Sequence, residues 1–64
     1  MKTVLDVLHD ELEDVLGSYK EFVALGHAKD YAEYRELCGV IRGLRSAQIE
    51  VQDLASRTKE DEDE

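Results

Sequence analysis

In the first third of this 64-residue chain, apolar side chains recur at alternating steps of three and four residues. They are Leu5, Leu8, Leu12, Val15, Tyr19 and Phe22. This spacing places side chains on one face of an α-helix, and its seven-residue period is typical of helices that pack against other helices. Val4, Leu16 and Val23 widen the face, so we expect this helix to contact more than one neighbour. Thr3, with Asp6 three positions on, has the pattern of an N-cap.

The residues from 26 to 33 predict a helix end, a short turn and a second helix start. Gly26 can adopt the left-handed conformation that closes a helix C-terminus without a Cβ clash. Asp30 has an N-capping side chain, and Glu33 lies where it can reach back to the backbone N–H of the cap. No proline follows.

The second apolar pattern is longer than the first. It runs through Tyr34, Leu37, Ile41, Leu44, Gln48, Val51 and Ala55, beside a row of Val40, Ala47 and Leu54. Two helices over about 3–25 and 30–58, joined by so short a connection, pack antiparallel. The predicted fold is therefore all-α, a two-helix hairpin over residues 1–59. Gln48 interrupts the apolar spacing, and it either sets register or oligomeric state or occupies a partly exposed position.

The length and composition predict dependence on a partner. A chain of 64 residues buries only about 60% of its unfolded surface, and the single Cys38 cannot form a disulfide within the chain. We therefore expect the chain to gain stability by oligomerising or by docking on a larger protein. We find no signal peptide and no apolar run near the ~18 residues of a membrane span, so we expect a soluble protein in the cytoplasm or in an assembly formed there.

The charge is strongly negative but unevenly distributed. Asp and Glu number 16 against 8 Lys and Arg, a formal net charge of −8, which disfavours direct binding to nucleic acid or an anionic membrane. Residues 60–64 are all acidic and predict a disordered, solvated tail.

The remaining charges suggest how the two helices align. If the turn centres near residue 28, facing positions add to about 56 in an antiparallel pair. The predicted pairing then sets Asp10, Glu11, Glu13 and Asp14 opposite Arg42 and Arg45. Each exposed pair contributes only about 0–1 kcal/mol, so the pattern indicates register more than stability. The same arginines could instead pair between subunits.

The candidate chemical residues do not form a catalytic pattern. Asp6, His9 and Glu13 have the spacing of helical metal ligands, but Glu50 alone faces them, so a solvated acidic face is the favoured interpretation. Cys38 lies beside the apolar face with no base nearby. We expect no enzymatic activity, no metal and no cofactor.

A stripe of small residues, Gly39, Gly43 and Ala47, indicates close approach of another helix. The alternative is that these residues arose by sequence drift that the helix tolerates. Each Gly costs roughly 1 kcal/mol relative to Ala inside a helix. The predicted interaction surface comprises Leu5, Leu8, Leu12, Val15, Leu37, Gly39, Val40, Ile41, Gly43, Leu44, Ala47, Val51 and Leu54.

The stretch from Asp30 to Leu44, Asp-Tyr-Ala-Glu-Tyr-Arg-Glu-Leu-Cys-Gly-Val-Ile-Arg-Gly-Leu, is followed by Ala47 and a helical pattern through Leu54. It resembles short helical proteins encoded in the structural gene clusters of tailed bacteriophages, and the resemblance covers about half the chain. It implies a small virion or assembly component that packs on a capsid, portal or tail protein. It supplies no catalytic residues.

A second functional hypothesis follows from the acidity. Carboxylates at positions 10–14 and 60–64 could imitate phosphate spacing, so that the chain inhibits a nucleic-acid-binding enzyme of the host. The eight interleaved basic residues argue against this mimicry.

Overall fold

The computed structural model describes residues 2–62, and it describes side chains up to residue 58. Helix α1 spans Val4–Ala24 and helix α2 spans Tyr31–Glu62, and the two pack against each other as an antiparallel hairpin. No strand is present in the described residues. The all-α class and the helical hairpin are confirmed.

Both ends of α1 have the caps that the sequence predicts. The Thr3 hydroxyl accepts a hydrogen bond from the Asp6 backbone N–H at 3.2 Å, and the Asp6 carboxylate accepts one from the Thr3 N–H at 3.0 Å. At the other end Gly26 has a φ of 76°. The N–H of His27 donates to the Phe22 carbonyl at 3.2 Å, which completes a Schellman motif.

Helix α2 begins at the predicted cap and ends later than predicted. The Asp30 carboxylate accepts a hydrogen bond from the Glu33 N–H at 2.8 Å. The Glu33 carboxylate reaches back to the N–H of Lys29 at 3.3 Å rather than to that of Asp30. The helical backbone continues past the predicted end near residue 58 to Glu62. Residues 63–64, the last part of the predicted acidic tail, lie outside the described residues.

The seam between the helices is narrow. It is formed by the half-buried or buried residues Leu5, His9, Leu12, Leu16 and Val23 of α1 and Leu37, Ile41, Leu44, Gln48, Val51 and Ala55 of α2. Among the residues whose side chains are described, Leu16 and Ala55 are the only buried apolar ones, and Leu16 has no exposed surface. Leu8, Val15 and Phe22 belong to the predicted stripe but remain 40–44% exposed. The apolar stripe of α1 is wider than one neighbouring helix can cover, and α2 covers the edge that contains Leu16.

The helices pair in a different register from the one expected. The side chain of Gln48 donates a hydrogen bond to Glu13, whereas the expected register would place Glu13 beside Gly43. The expected register holds only if the turn alone fixes the alignment of the two helices. The connection between Ala24 and Tyr31 is long enough to let side-chain packing along the seam decide it.

The hairpin is a thin rod. Its Cα atoms extend over 52 × 18 × 12 Å, and its radius of gyration is 15.1 Å, against about 11 Å for a compact domain of this length. Helix α2 is the longer element with 32 residues against 21 in α1. Within the described residues, neither helix combines the length and apolar character needed to cross a membrane.

Candidate functional site: an apolar face beside the hairpin seam

Each helix has a second apolar stripe, which lies outside the seam. On α1 it consists of Val4, Leu8, Val15, Tyr19 and Phe22, and on α2 of Val40, Ala47 and Leu54, all of them exposed. At 100° per residue each stripe is rotated by roughly 80° from the seam, in the same rotational sense. Because the helices run antiparallel, this rotation turns both stripes to the same side of the hairpin. We call these eight residues the apolar face.

A shallow groove lies between the α1 stripe and the seam. It has a volume of about 200 Å³ and is lined by Ser18, Tyr19 and Phe22 of α1 and by Leu37 of α2. The Phe22 ring also lies 5.3 Å from the His27 ring, centroid to centroid. This contact holds one wall of the groove against the turn. The groove is therefore an apolar depression that spans both helices.

The opposite side, which we call the polar face, carries the cross-helix hydrogen bonds. Gln48 is only 3% exposed, so the partly exposed alternative for this residue is wrong. Its amide nitrogen donates to Glu13, and its amide oxygen accepts from Arg45 at 3.2 Å. The pKa of Glu13 lies below its ordinary value, first because of the Gln48 hydrogen bond and then because of the positive charges of Lys20 and Arg45. A buried amide thus links an acid on α1 to a base on α2.

The predicted charge pairing takes a different form in the structure. No direct ion pair joins Arg42 or Arg45 to Asp10, Glu13 or Asp14 within the described residues. Gln48 stands between Glu13 and Arg45 instead.

Asp10 pairs locally with Lys2. This contact lowers the pKa of the Asp10 carboxyl and raises that of the Lys2 ammonium, in each case first through the hydrogen bond between them. The shift in register sets Glu13 opposite Gln48 rather than between Arg42 and Arg45.

The residues considered as metal ligands also lie on the polar face. A depression of about 180 Å³ is lined by Asp6, His9, Gln52, Ala55 and Ser56. The His9 Nδ1 atom lies 3.6 Å from the Asp10 carboxylate. Residues 2–58 contain no group of three or more His, Cys, Asp or Glu side chains arranged to hold a metal ion.

The predicted interaction surface divides into two sets. The half-buried residues Leu5, Leu12, Leu37, Ile41, Leu44 and Val51 pack in the seam, whereas Leu8, Val15, Gly39, Val40, Gly43, Ala47 and Leu54 remain exposed. A Cβ atom added at Gly39 or Gly43 would meet nothing within 4 Å. The close approach inferred from these glycines is therefore not made by α1. It stays a prediction about a partner.

Cys38 is half-buried beside the seam. The neighbouring Cys38 thiol is the first cause of the raised pKa of Tyr34. Tyr34 also stacks on Tyr31, with ring centroids 6.1 Å apart. Both tyrosines lie near the start of α2, away from the apolar face.

Comparison with known proteins identifies no relative, because no family model, curated protein or solved structure matches this chain. The seam residue that the sequence patterns did not place there is His9, whereas Gln48 was already part of the predicted row on α2. The spacing of His9, four residues after Leu5 and three before Leu12, was the signal that could have placed it in the seam.

Proposed function

We propose that this chain is a non-enzymatic structural or assembly protein whose apolar face packs on the helices of a partner. The partner is either further copies of the chain or a larger structural protein. Under this proposal the hairpin seam holds the chain together and the apolar face joins it to the assembly.

The observation that carries the proposal is the imbalance between buried and exposed apolar residues. In residues 2–58 the only buried apolar residues are Leu16 and Ala55, whereas Val15, Phe22 and Leu54 are each at least 40% exposed and share one side of the rod. Full burial of one such side chain stabilises a protein by roughly 1.5–3 kcal/mol. Covering the apolar face would therefore add to the stability that the small seam provides.

The resemblance of residues 30–54 to short proteins of tailed-bacteriophage structural gene clusters suggests the kind of assembly. We propose that the chain is a small virion component seated on a capsid, portal or tail protein. A rod of 52 Å with one apolar side is suited to lie along the helices of such a protein.

Charge mimicry is less well supported by the arrangement of the acids. Asp10 is paired with Lys2 and Glu13 with Gln48, so half of the four carboxylates at positions 10–14 are engaged within the hairpin. A phosphate mimic requires them to be free for a target.

Site-specific photo-crosslinking in the cells that produce the chain tests the proposal. A photoreactive phenylalanine analogue would replace Phe22 on the apolar face or, as the matched control, Tyr31, which is 70% exposed on the other side. We expect Phe22 to yield a discrete adduct, identified by mass spectrometry as the chain itself or a structural protein, and Tyr31 to yield none. An adduct with a nucleic-acid enzyme, equal adducts from both positions, or none from Phe22 would contradict the proposal.

A further inference from the structure

From the charges around the apolar face, we infer the chemistry of its partner. We propose that the face takes an amphipathic helix of another protein that carries Lys or Arg on both sides of its apolar stripe. This inference rests on the proposed function and specifies the partner.

The first observation is an acidic rim on both edges of the apolar face. On α1, Glu11 follows Leu8 by three residues and precedes Val15 by four, so it borders the face. On α2, Glu36 precedes Val40 by four residues, and Glu50 lies three residues after Ala47. Within residues 2–58 none of these three glutamates has an ion-pair partner.

The second observation is that the bases lie elsewhere. Lys20 and Arg45 are close enough to Glu13 on the polar face for their charges to lower its pKa. Lys2 pairs with Asp10 on that same side.

The bases nearest the ends of the rod are also engaged. Lys29, in the turn, lies 3.9 Å from the Glu33 carboxylate, and Arg57 lies 3.4 Å from that of Asp53. The three glutamates at the edges of the apolar face therefore carry negative charge that no ion pair within residues 2–58 neutralises.

This distribution of charge distinguishes between the two partners considered above, a second copy of the chain and a different protein. A second copy would present the same glutamates, and face-to-face pairing of two copies would set acid against acid, which disfavours association. A helix with basic flanks would place a cation beside Glu11 on one edge and beside Glu36 and Glu50 on the other. Its apolar stripe would meet the groove formed by Tyr19, Phe22 and Leu37.

Titration of the full chain with two designed peptides tests the inference. Each peptide has about three heptads with Leu at positions a and d, and positions e and g are all Lys in one and all Glu in the other. We expect the Lys peptide to bind about tenfold or more tightly than the Glu peptide at low salt. The difference should shrink in 0.5 M salt because exposed charges are screened.

Substitutions in the chain identify the surface to which the peptide binds. Phe22→Gln should abolish binding, whereas Tyr31→Gln on the other side should not change it. Glu11→Gln and Glu36→Gln should each weaken binding of the Lys peptide about two- to fivefold, against no change for Asp53→Asn, which removes a carboxylate away from the face. Circular dichroism of each variant checks that the helices are retained.

Equal affinity for both peptides, binding that survives Phe22→Gln, or no binding of either peptide would overturn the inference. So would a chain that is by itself a stable dimer at neutral pH and low salt with Phe22 protected. None of these results removes the proposed function if Phe22 still crosslinks to a structural partner or to the chain itself. Failure of the crosslink removes the proposed function whatever the peptides do.

Discussion

Residues 15 and 16 show how different the exposure of two adjacent apolar side chains can be in a hairpin of this size. Leu16 is fully buried against α2, whereas Val15 is 44% exposed on the apolar face. The sequence identified both as apolar residues of a helix. It could not assign them to different surfaces, because the stripe of α1 is wider than one neighbour covers and periodicity does not tell which edge is covered.

This difference predicts opposite effects for two alanine substitutions. Leu16→Ala should lower the free energy of unfolding of the isolated chain by about 2–4 kcal/mol, because it leaves a cavity in the seam. Val15→Ala should change it by less than about 0.5 kcal/mol, since it removes little buried surface, and should weaken partner binding instead. Urea unfolding followed by circular dichroism measures both. Equal losses of stability would mean that the assigned seam is wrong.

The hydrogen bond between Gln48 and Glu13 predicts a dependence of stability on pH. The pKa of Glu13 is lowered in the folded chain from an ordinary value of 4.5. Its stabilising contribution is therefore fully present above pH 4.5 and is lost as the pH falls through the folded pKa. Glu13→Gln and Gln48→Met should both make this loss shallower, because each removes one half of the bond. If the free energy of unfolding of either variant fell between pH 6 and pH 3 as steeply as that of the parent chain, the role of this bond would be contradicted.

At the scale of the helices, the local signals of the sequence were sufficient to predict the caps and the turn. Thr3, Asp30 and Gly26 specify the caps and the turn through hydrogen bonds within a few residues, and these were predicted correctly. The register was not predicted. It depends on contacts between distant residues such as Glu13 and Gln48, and no local pattern records them.

Two glycines predict opposite effects of the same substitution. Gly26→Ala should destabilise the hairpin by about 1–2 kcal/mol, because a φ of 76° is unfavourable for a residue with a Cβ atom. Gly39→Ala should stabilise the isolated chain by about 0.5–1 kcal/mol, since Ala is the better helix former and its Cβ meets nothing within 4 Å. Thermal unfolding of the two variants provides the test. A destabilising Gly39→Ala would show that another helix already packs there in the isolated chain.

At the scale of the whole molecule, the fold creates an asymmetry that the linear sequence obscures. Acids and bases are interspersed along residues 20–59, and the acids are concentrated at positions 10–14 and 60–64. Folding places the cross-helix amide and its neighbouring charges, Glu13, Lys20 and Arg45, on one side and the unpaired glutamates beside the apolar residues on the other. Composition predicted the need for a partner. The side that we propose for docking follows only from the three-dimensional pairing of the helices.

The most direct test of the docking face uses the aromatic residues already present. Hydroxyl-radical footprinting, read by mass spectrometry, compares the oxidation of Tyr19, Phe22 and Tyr31 in the isolated chain and in the purified assembly that contains it. We predict that assembly protects Tyr19 and Phe22 severalfold and leaves Tyr31 as reactive as before. Unchanged oxidation of Tyr19 and Phe22, or equal protection of Tyr31, would contradict docking through the apolar face.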